Sequence, residues 1–209
     1  SKKLDGISYE LPVASAQVKS CIMLAGLYAQ TETTIIENHQ TRNHTEKMFE
    51  KFGIEIKEKF ENKQKIIKVS PPKKLNPTNI DIPGDFSSAS FLIVAGLIIP
   101  NSEIIIKNVG INSSRTALLK VLIEMGADIQ ISNVKDDFEK TADILVRTSE
   151  LKALVLDEDL VPNLIDELPI LFIAASFANG KTIIRGAEEL RAKESDRLEA
   201  MSDSLGNLG

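Results

Sequence analysis

The 209-residue sequence predicts a mixed fold of the α/β or α+β class that is built from repeated units and contains parts of two domains. One observation is a pattern of helix, β-branched strand and second helix that recurs three times, roughly every 70 to 80 residues, longer than common solenoid repeats. Another is the Pro-rich stretch SPPKKLNPTNIDIPGD at residues 70–85, which interrupts the pattern as a crossing between domains does. We therefore expect domain parts at residues 1–82 and 83–209. The alternative for the Pro-rich stretch is a long surface loop.

The first copy of the pattern begins at SAQ, residues 15–17, where Ser15 is a typical N-cap for the apolar helix that follows. The strand TTIIEN comes next, and a polar loop leads into an amphipathic helix that ends near Gly53. The strands GIEIKE and KQKIIKVS complete this copy. Cys21 lies among apolar residues of the first helix, so we expect a buried structural thiol rather than a nucleophile.

The second and third copies repeat this order. In the second copy SSAS replaces SAQ, the strands are EIIIKN, GADIQI and TADILVRT, and the second helix ends near Gly126. In the third copy an apolar helix begins at Asp166, a natural cap; the strand is TIIRGA, and a second helix ends near Gly209. Since these helix starts occupy equivalent positions, we expect them to converge on one place in the fold.

Composition excludes several functional classes. The chain has 25 Lys and Arg against 30 Asp and Glu, and the net charge of −5 argues against non-specific nucleic-acid binding. No signal peptide opens it and its apolar runs are too short to span a bilayer, so no membrane association is expected. A single cysteine suits a reducing, cytoplasmic compartment, and with only two histidines a zinc site is disfavoured.

Polar and charged residues cluster at three predicted helix starts. These stretches are SAQ at residues 15–17, TRNHTE at 41–46 and KESDR at 193–197. Helix N-termini present free N–H groups and a positive dipole end, so they are natural anion sites. Arg42 would lie at the positive end of a helix capped by Thr41 or Asn43, where a cation calls for an anion. A plain N-cap at Ser15 and a solvated arginine at 42 are the alternatives.

The last charged stretch has two interpretations as well. On a helix, Lys193 and Arg197 are four residues apart and share one face. The pair of Glu194 and Arg197 could equally be a surface ion pair, which contributes little to stability. Asp166, at the start of the third apolar helix, is either a cap or a carboxylate suited to proton transfer in a cleft.

These stretches together resemble the family of 3-phosphoshikimate 1-carboxyvinyltransferase, or EPSP synthase, in its bacterial branch. The matching stretches run along nearly the whole chain in family order: PVASAQVKS, TRNHTEKMFEKFG, IPGDFSSASF, KNVGIN, LIDELP and ELRAKESDRL. The resemblance implies two domains, each assembled from three βαβαββ units, with helix N-termini directed into the cleft between them. The chain would supply the last part of the first domain, which binds shikimate 3-phosphate, and about two units of the second domain.

The resemblance also implies the reaction. The carboxyvinyl group of phosphoenolpyruvate is transferred to the 5-hydroxyl of shikimate 3-phosphate, with release of phosphate, in the shikimate pathway of aromatic amino acid biosynthesis. No metal or organic cofactor is needed. The expected partners are the two small-molecule substrates, and the full-length parent is expected to be a cytoplasmic monomer.

Site residues carry over from the family one at a time. Ser15, Ala16 and Gln17 match the segment that binds shikimate 3-phosphate, and Arg42 matches an arginine near the same substrate. With these motifs counted together, the resemblance favours ligand binding over the plain cap and the solvated arginine.

The other assigned residues belong to the later part of the chain. Asp166 matches the aspartate that binds substrate hydroxyls and accepts a proton, and Glu194 matches a glutamate implicated in proton transfer. Lys193 matches a lysine of the substrate site, and Arg197 matches an arginine on the phosphoenolpyruvate side. The KESDR stretch is therefore expected to be a substrate-facing helix start.

The family is about twice as long as this chain, and both ends of the sequence look cut, so we expect a fragment of a longer protein. Contacts that the family makes from its early and late residues have no counterpart here. We expect the isolated chain to bind substrates weakly and to lack turnover. The alternatives are a non-catalytic structural fragment and the related UDP-N-acetylglucosamine enolpyruvyl transferase, whose catalytic cysteine lies in a loop rather than in a helix.

Overall fold

The computed structural model describes residues 3–208. The chain divides into two compact units, the first ending at Asp81 and the second beginning at Ile82. This division falls one residue before the predicted boundary. That the first unit is the end of one domain, and the second about two repeats of another, stays a prediction.

The first unit contains one complete β-α-β-α-β-β series. Its elements are β1 (Ser8–Glu10), α1 (Ala16–Gly26), β2 (Thr33–Glu37), α2 (His44–Lys51), β3 (Ile56–Glu61) and β4 (Gln64–Val69). Strand β1 runs parallel to β2, β4 is antiparallel to β2 and β3, and the sheet order is β1-β2-β4-β3. Side chains of β2 alternate between more and less buried positions, as expected for a strand with helices on one face.

The second unit repeats this series and then extends it. Its helices and strands are α3 (Phe86–Ile98), β5 (Glu103–Gly110), α4 (Ala117–Glu124), β6 (Asp128–Asp136), β7 (Lys140–Arg147), α5 (Leu168–Ser176) and α6 (Arg197–Leu208), with short 3-10 helices at Glu158–Asn163 and Glu188–Ala192. The sheet order is β5-β7-β6, and both pairings are antiparallel. A parallel bridge between Gly84 and Val109 lies where β1 pairs with β2 in the first unit. The predicted fold class and the first two copies of the repeat are confirmed.

Each unit has its own apolar core. In the first unit α1 contributes Met23, and β2 and β4 contribute Ile35 and Ile67. In the second unit α3 and α5 pack with α4 and the inner face of the sheet. A Cβ at Gly96 would lie 3.2 Å from a methyl group of Val146, so the glycine allows α3 to approach the sheet closely.

The predicted strand TIIRGA in the third copy is wrong. Within residues 182–187 the structure has a single parallel bridge, between Ile183 and Val155, beside a second bridge from Lys152 to Asn179. In the other copies, β2 and β5 gain an antiparallel partner from a hairpin that follows the second helix. Within residues 182–187 the bridge at Ile183 is the pairing that the structure describes. Gly209 lies outside the described residues.

The prediction that Cys21 is buried is also wrong, because its side chain is exposed. Helix α1 is apolar around much of its circumference, but only the side with Lys19, Met23 and Gly26 is buried. Cys21 lies on the exposed side with Leu24. Between residues 3 and 208, no helix is both long enough and apolar enough to cross a bilayer.

Candidate functional site

The start of α1 has the form of an anion-binding helix terminus. Ser15 is the N-cap, and its hydroxyl accepts a hydrogen bond from the Val18 N–H at 3.3 Å, as predicted. Ala16 is half-buried and Gln17 is exposed in the first turn. The first N–H groups of a helix lack intrahelical partners, so they are available to an anion. The segment just before Ser15 lines a small cavity of about 100 Å³.

The stretch at residues 41–46 forms the approach to α2. Asn43 occupies the N-cap position, one of the two predicted for the cap. Thr41 instead bonds to the last residue of β2, since its hydroxyl and its N–H reach Glu37 Oε1 at 2.5 and 3.3 Å. Arg42 is half-buried and directly precedes the cap, so it lies at the positive end of the helix as predicted.

A buried group of charged side chains connects α1, β2 and α2. Lys19 Nζ lies 2.7 Å from Glu46 Oε1 and 3.2 Å from Glu37 Oε1, and none of the three residues is more than 3% exposed. The hydroxyls of Ser20 and Thr45 are 2.6 Å apart and join α1 to α2 next to this group. The two polar stretches of the first unit are therefore held against each other.

In the second unit the starts of α3 and α5 converge. Asp85 caps α3, and one of its carboxylate oxygens accepts the Ser88 N–H at 2.7 Å. The hydroxyl of Ser87, in the first turn of α3, donates to the carboxylate of Glu167 at the N-cap position of α5. The predicted convergence is confirmed for these two helices. Of the two interpretations of Asp166, the structure rules out the cap, because Glu167 occupies the N-cap position of α5.

Arg115 lies between these helix starts and is only 14% exposed. Its guanidinium donates to the Ser87 hydroxyl. It is also 3.5 Å from Asp85 Oδ1, 3.8 Å from Glu167 Oε1 and 3.9 Å from Asp166 Oδ2. It links Asp166 to the two helix starts.

The KESDR stretch is a loop followed by a helix. Helix α6 begins at Arg197, and Asp196 Oδ1 accepts the Glu199 N–H at 3.0 Å in the manner of an N-cap. Lys193 has an extended backbone (φ −82°, ψ −165°) at the end of the preceding 3-10 helix. The prediction that Lys193 and Arg197 share a helical face is therefore wrong, because the cap at Asp196 starts the helix after Lys193 and Glu194.

Arg197 brings two of the predicted carboxylates together. Its guanidinium lies 2.8 Å from Glu194 Oε1 and 3.8 Å from Asp166 Oδ1. Glu194 is exposed, and hydrogen bonds from its own backbone N–H and from Arg197 lower its pKa. Lys193 bonds to Glu189 at 2.5 Å. The structure thus groups Asp166, Glu194 and Arg197, with Lys193 in the same loop.

The side chains grouped at these helix starts are polar or charged. Among residues 3–208 there is no cluster of three or more His, Cys, Asp or Glu side chains disposed to hold a metal ion. Partial burial alone raises the pKa of Asp85, but hydrogen bonds from Ser88 and the charge of Arg115 outweigh it, so the pKa is lowered. The grouped side chains are therefore suited to binding anions and moving protons.

The profile of the EPSP synthase (3-phosphoshikimate 1-carboxyvinyltransferase) family matches residues 1–209. The chain belongs to this family. A 3-phosphoshikimate 1-carboxyvinyltransferase of Streptococcus thermophilus is 48% identical over the whole of this chain and over 48% of its own length. One from Hydrogenovibrio crunogenus is 47% identical over the whole chain and 47% of its length. The chain thus spans about half the length of the curated relatives that it matches.

Solved structures agree with the EPSP synthase assignment. An EPSP synthase from Acinetobacter baumannii superposes with a TM-score of 0.87 at 46% identity, covering 98% of this chain and 45% of that one. The enolpyruvyl transferase NikO from Streptomyces tendae gives a TM-score of 0.60 at 14% identity, over 87% of this chain and 44% of that one. The second likeness shows the fold alone. The predicted family is confirmed, and these matches favour it over the UDP-N-acetylglucosamine transferase.

The predicted site residues fall into two groups in this EPSP synthase family member. Ser15, Ala16, Gln17 and Arg42 belong to the first unit, and the others to the second. Sequence reasoning missed Arg115. It lies in NSSRT, before α4, in a loop without a charged run, and its contacts are to residues far away in sequence. The only local signal was a single arginine close to a predicted helix start.

Proposed function

We propose that this chain forms part of a 3-phosphoshikimate 1-carboxyvinyltransferase. The reaction transfers the carboxyvinyl group of phosphoenolpyruvate to the 5-hydroxyl of shikimate 3-phosphate and releases phosphate. The observation that carries the proposal is that Arg197 stands between two carboxylates, those of Glu194 and Asp166, in a family member of this kind. No cofactor takes part, and the proposed compartment is the cytoplasm.

The two carboxylates divide the proton transfers. Attack of the 5-hydroxyl on C2 of the enolpyruvyl group needs a base on that oxygen, and C3 must gain a proton. Loss of that proton and of phosphate then restores the double bond in the product. Asp166, flanked by Arg115 and Arg197, is the proposed acceptor for the hydroxyl proton. Glu194 is the proposed donor to C3.

Arg197 couples anion binding to the state of Glu194. A hydrogen bond from its own backbone N–H and the bonds from Arg197 lower the pKa of Glu194. A phosphate or carboxylate of the substrate that binds Arg197 competes for the same N–H groups. Loss of those bonds would remove part of what lowers the pKa of Glu194, so anion binding and the proton affinity of Glu194 are linked through Arg197.

Shikimate 3-phosphate is proposed to bind at Ser15, Ala16 and Gln17, with Arg42 beside it. The free N–H groups at the start of α1 and the guanidinium of Arg42 both suit a phosphate. Lys193 and Arg197 would bind the anionic groups of phosphoenolpyruvate and of shikimate 3-phosphate.

A titration of the chain with shikimate 3-phosphate, followed by amide NMR, tests the binding part. We expect saturable shifts at residues 15–17 and 41–46, with a dissociation constant of about 1 mM or weaker. Arg42→Ala should weaken binding about tenfold, since a charge-assisted bond to phosphate is lost. Arg147→Ala, at a half-buried arginine of the second unit, is the control and should bind as the wild type does. An absence of saturable shifts would favour the non-catalytic structural fragment.

Turnover is tested in a chimera, because the chain spans half of its relatives. The matched segment of the Streptococcus thermophilus enzyme is replaced by residues 1–209, and phosphate release is measured with both substrates. Asp166→Asn and Glu194→Gln should each lower kcat about 100-fold or more. Asp203→Asn, at an exposed position of α6, should not. Phosphate release with UDP-N-acetylglucosamine in place of shikimate 3-phosphate would contradict the proposal.

A further inference from the structure

We propose that Lys19, Glu37 and Glu46 are positioning residues that hold Arg42 beside the start of α1. The inference rests on the proposed function, in which Arg42 and the start of α1 bind shikimate 3-phosphate. None of the three side chains is assigned a role by the family resemblance. Each is buried, and each belongs to a different element of the first unit.

Lys19 is the centre of the network. It lies one turn after Ser15, whose carbonyl oxygen accepts the Lys19 N–H at 3.1 Å, and its side chain is fully buried. A buried ammonium group costs several kcal/mol unless it is paired. Here two carboxylates, those of Glu37 and Glu46, lie 3.2 and 2.7 Å from Nζ. The start of α1 is thereby tied to β2 and to α2.

The network bonds to residues before and after Arg42 in the sequence. On one side Glu37 accepts the hydroxyl and the N–H of Thr41, the residue before Arg42. On the other side Glu46 lies in the first turn of α2 and bonds to Lys19, and Thr45 bonds to Ser20. The segments on both sides of Arg42 are therefore tied to β2 and to α1.

Stability alone does not account for such a network. Buried ion pairs are often no more stabilising than apolar side chains of the same size. Lys65 Nζ adds a second cation 3.4 Å from Glu46 Oε1, yet Glu46 Oε2 is buried without a hydrogen-bond partner among residues 3–208. An unsatisfied buried oxygen costs stability. Directional bonds that fix the position of the binding segment explain why charges are used here.

Thr41→Val tests the network without leaving a buried charge unpaired. It removes the hydroxyl that bonds to Glu37 and keeps the side-chain shape. Thr41→Ser, in contrast, keeps the hydroxyl and removes only the methyl group. Thr78→Val is the matched control, at a threonine of the same unit whose hydroxyl contacts the neighbouring Asn79 carbonyl at 3.5 Å. Amide hydrogen exchange at residues 41–46 is measured without ligand. The affinity for shikimate 3-phosphate is then measured by amide NMR.

We expect Thr41→Val to speed exchange at residues 41–46 and to weaken shikimate 3-phosphate binding about 3- to 10-fold, the range for one hydrogen bond. Thr41→Ser should restore both, and Thr78→Val should change neither. Unchanged exchange overturns the inference, and so does faster exchange with unchanged affinity. If the wild-type chain does not bind shikimate 3-phosphate, the binding part of the proposed function fails for the isolated chain. Exchange alone then decides whether the network holds the segment.

Discussion

Arg115 occupies a position that is unfavourable for a cation unless acids offset it. The starts of α3 and α5 meet there, and each helix start is the positive end of a dipole. Asp85, Asp166 and Glu167 supply the negative charge, and Ser87 accepts a bond from the guanidinium. The arginine is therefore part of the frame that sets the direction of Asp166.

Replacing Arg115 should be costly. Arg115→Met removes a largely buried cation from three carboxylates, so we expect a loss of about 2 to 4 kcal/mol in the free energy of unfolding. Arg115→Lys keeps the charge but loses the planar guanidinium, so its free energy of unfolding should lie between those of the wild type and Arg115→Met. The control is Arg147→Met, at a more exposed ion pair, with a loss of about 1 kcal/mol or less. Urea unfolding measures these changes, and equal losses for both methionine variants would refute the role of Arg115.

Asp85 makes stability depend on pH in a defined direction. Partial burial raises its pKa, but the hydrogen bonds from Ser88 and the charge of Arg115 together lower it by more, so the folded pKa is below the usual 3.8. A lowered folded pKa means that the carboxylate stabilises the fold above the unfolded pKa, and that this contribution is lost as the pH falls through the folded pKa.

Asp85→Asn isolates this effect, because asparagine also caps helices but does not titrate. The wild type should be more stable than the variant at pH 7, by about 1 kcal/mol or less because Asp85 is half exposed. The difference should shrink below about pH 4. Urea unfolding from pH 7 to pH 3 gives the comparison. A difference that stays constant or grows toward low pH would contradict the assignment.

The sequence predicts residues of the site when their role is local. Ser15 caps α1 because capping depends on the neighbouring N–H groups, which a short motif specifies. Asp166 was placed one residue away from the true cap, since Asp and Glu are adjacent in the same turn. Arg115 and Lys19 were missed because their partners are 18 or more residues away, and no local pattern records such contacts.

At the scale of elements, the repeat predicted strands correctly where the segment forms a ladder with a neighbouring strand. Strands β2 and β5 formed as expected, because β2 pairs with β4 of the hairpin β3–β4, and β5 pairs with β7 of the hairpin β6–β7. The segment TIIRGA has equal β propensity but pairs only through a bridge at Ile183. Strand formation depends on the neighbouring strand as well as on the residues, so propensity alone overestimates it.

Irregularities in the strands were also beyond the sequence pattern. Strands β5 and β6 each have a register shift, where Asn108 and Asn133 adopt φ near +50°. Asp143, on the strand between them, accepts a bond from the Asn108 N–H at 2.9 Å and from the Asn133 amide at 2.8 Å. Asparagine tolerates this backbone region, but an asparagine in a strand does not by itself predict a bulge.

At the scale of the whole molecule, the two units differ in the size of their cores. Among the described residues, the core of the first unit has seven buried apolar side chains, and the unit also contains the buried charges of the Lys19 network. The core cluster of the second unit has 24, counted over the same described part of the chain. Burying one large apolar side chain contributes about 1.5 to 3 kcal/mol, so the first unit should be the less stable of the two. The unit that carries Arg42 and the start of α1 is therefore the one closer to unfolding.

A urea titration followed by amide NMR should resolve two transitions. Signals of Ile35 and Ile67 in the first unit should disappear at lower urea than those of Ile93 and Leu97 in the second. Shikimate 3-phosphate at ten times its dissociation constant should stabilise the first unit by about 1.4 kcal/mol, since a ligand that binds only the folded state shifts its unfolding by mass action. The second transition serves as the internal control and should stay in place. One common transition, or an equal shift of both, would show that the units unfold together and would refute the independence of their cores.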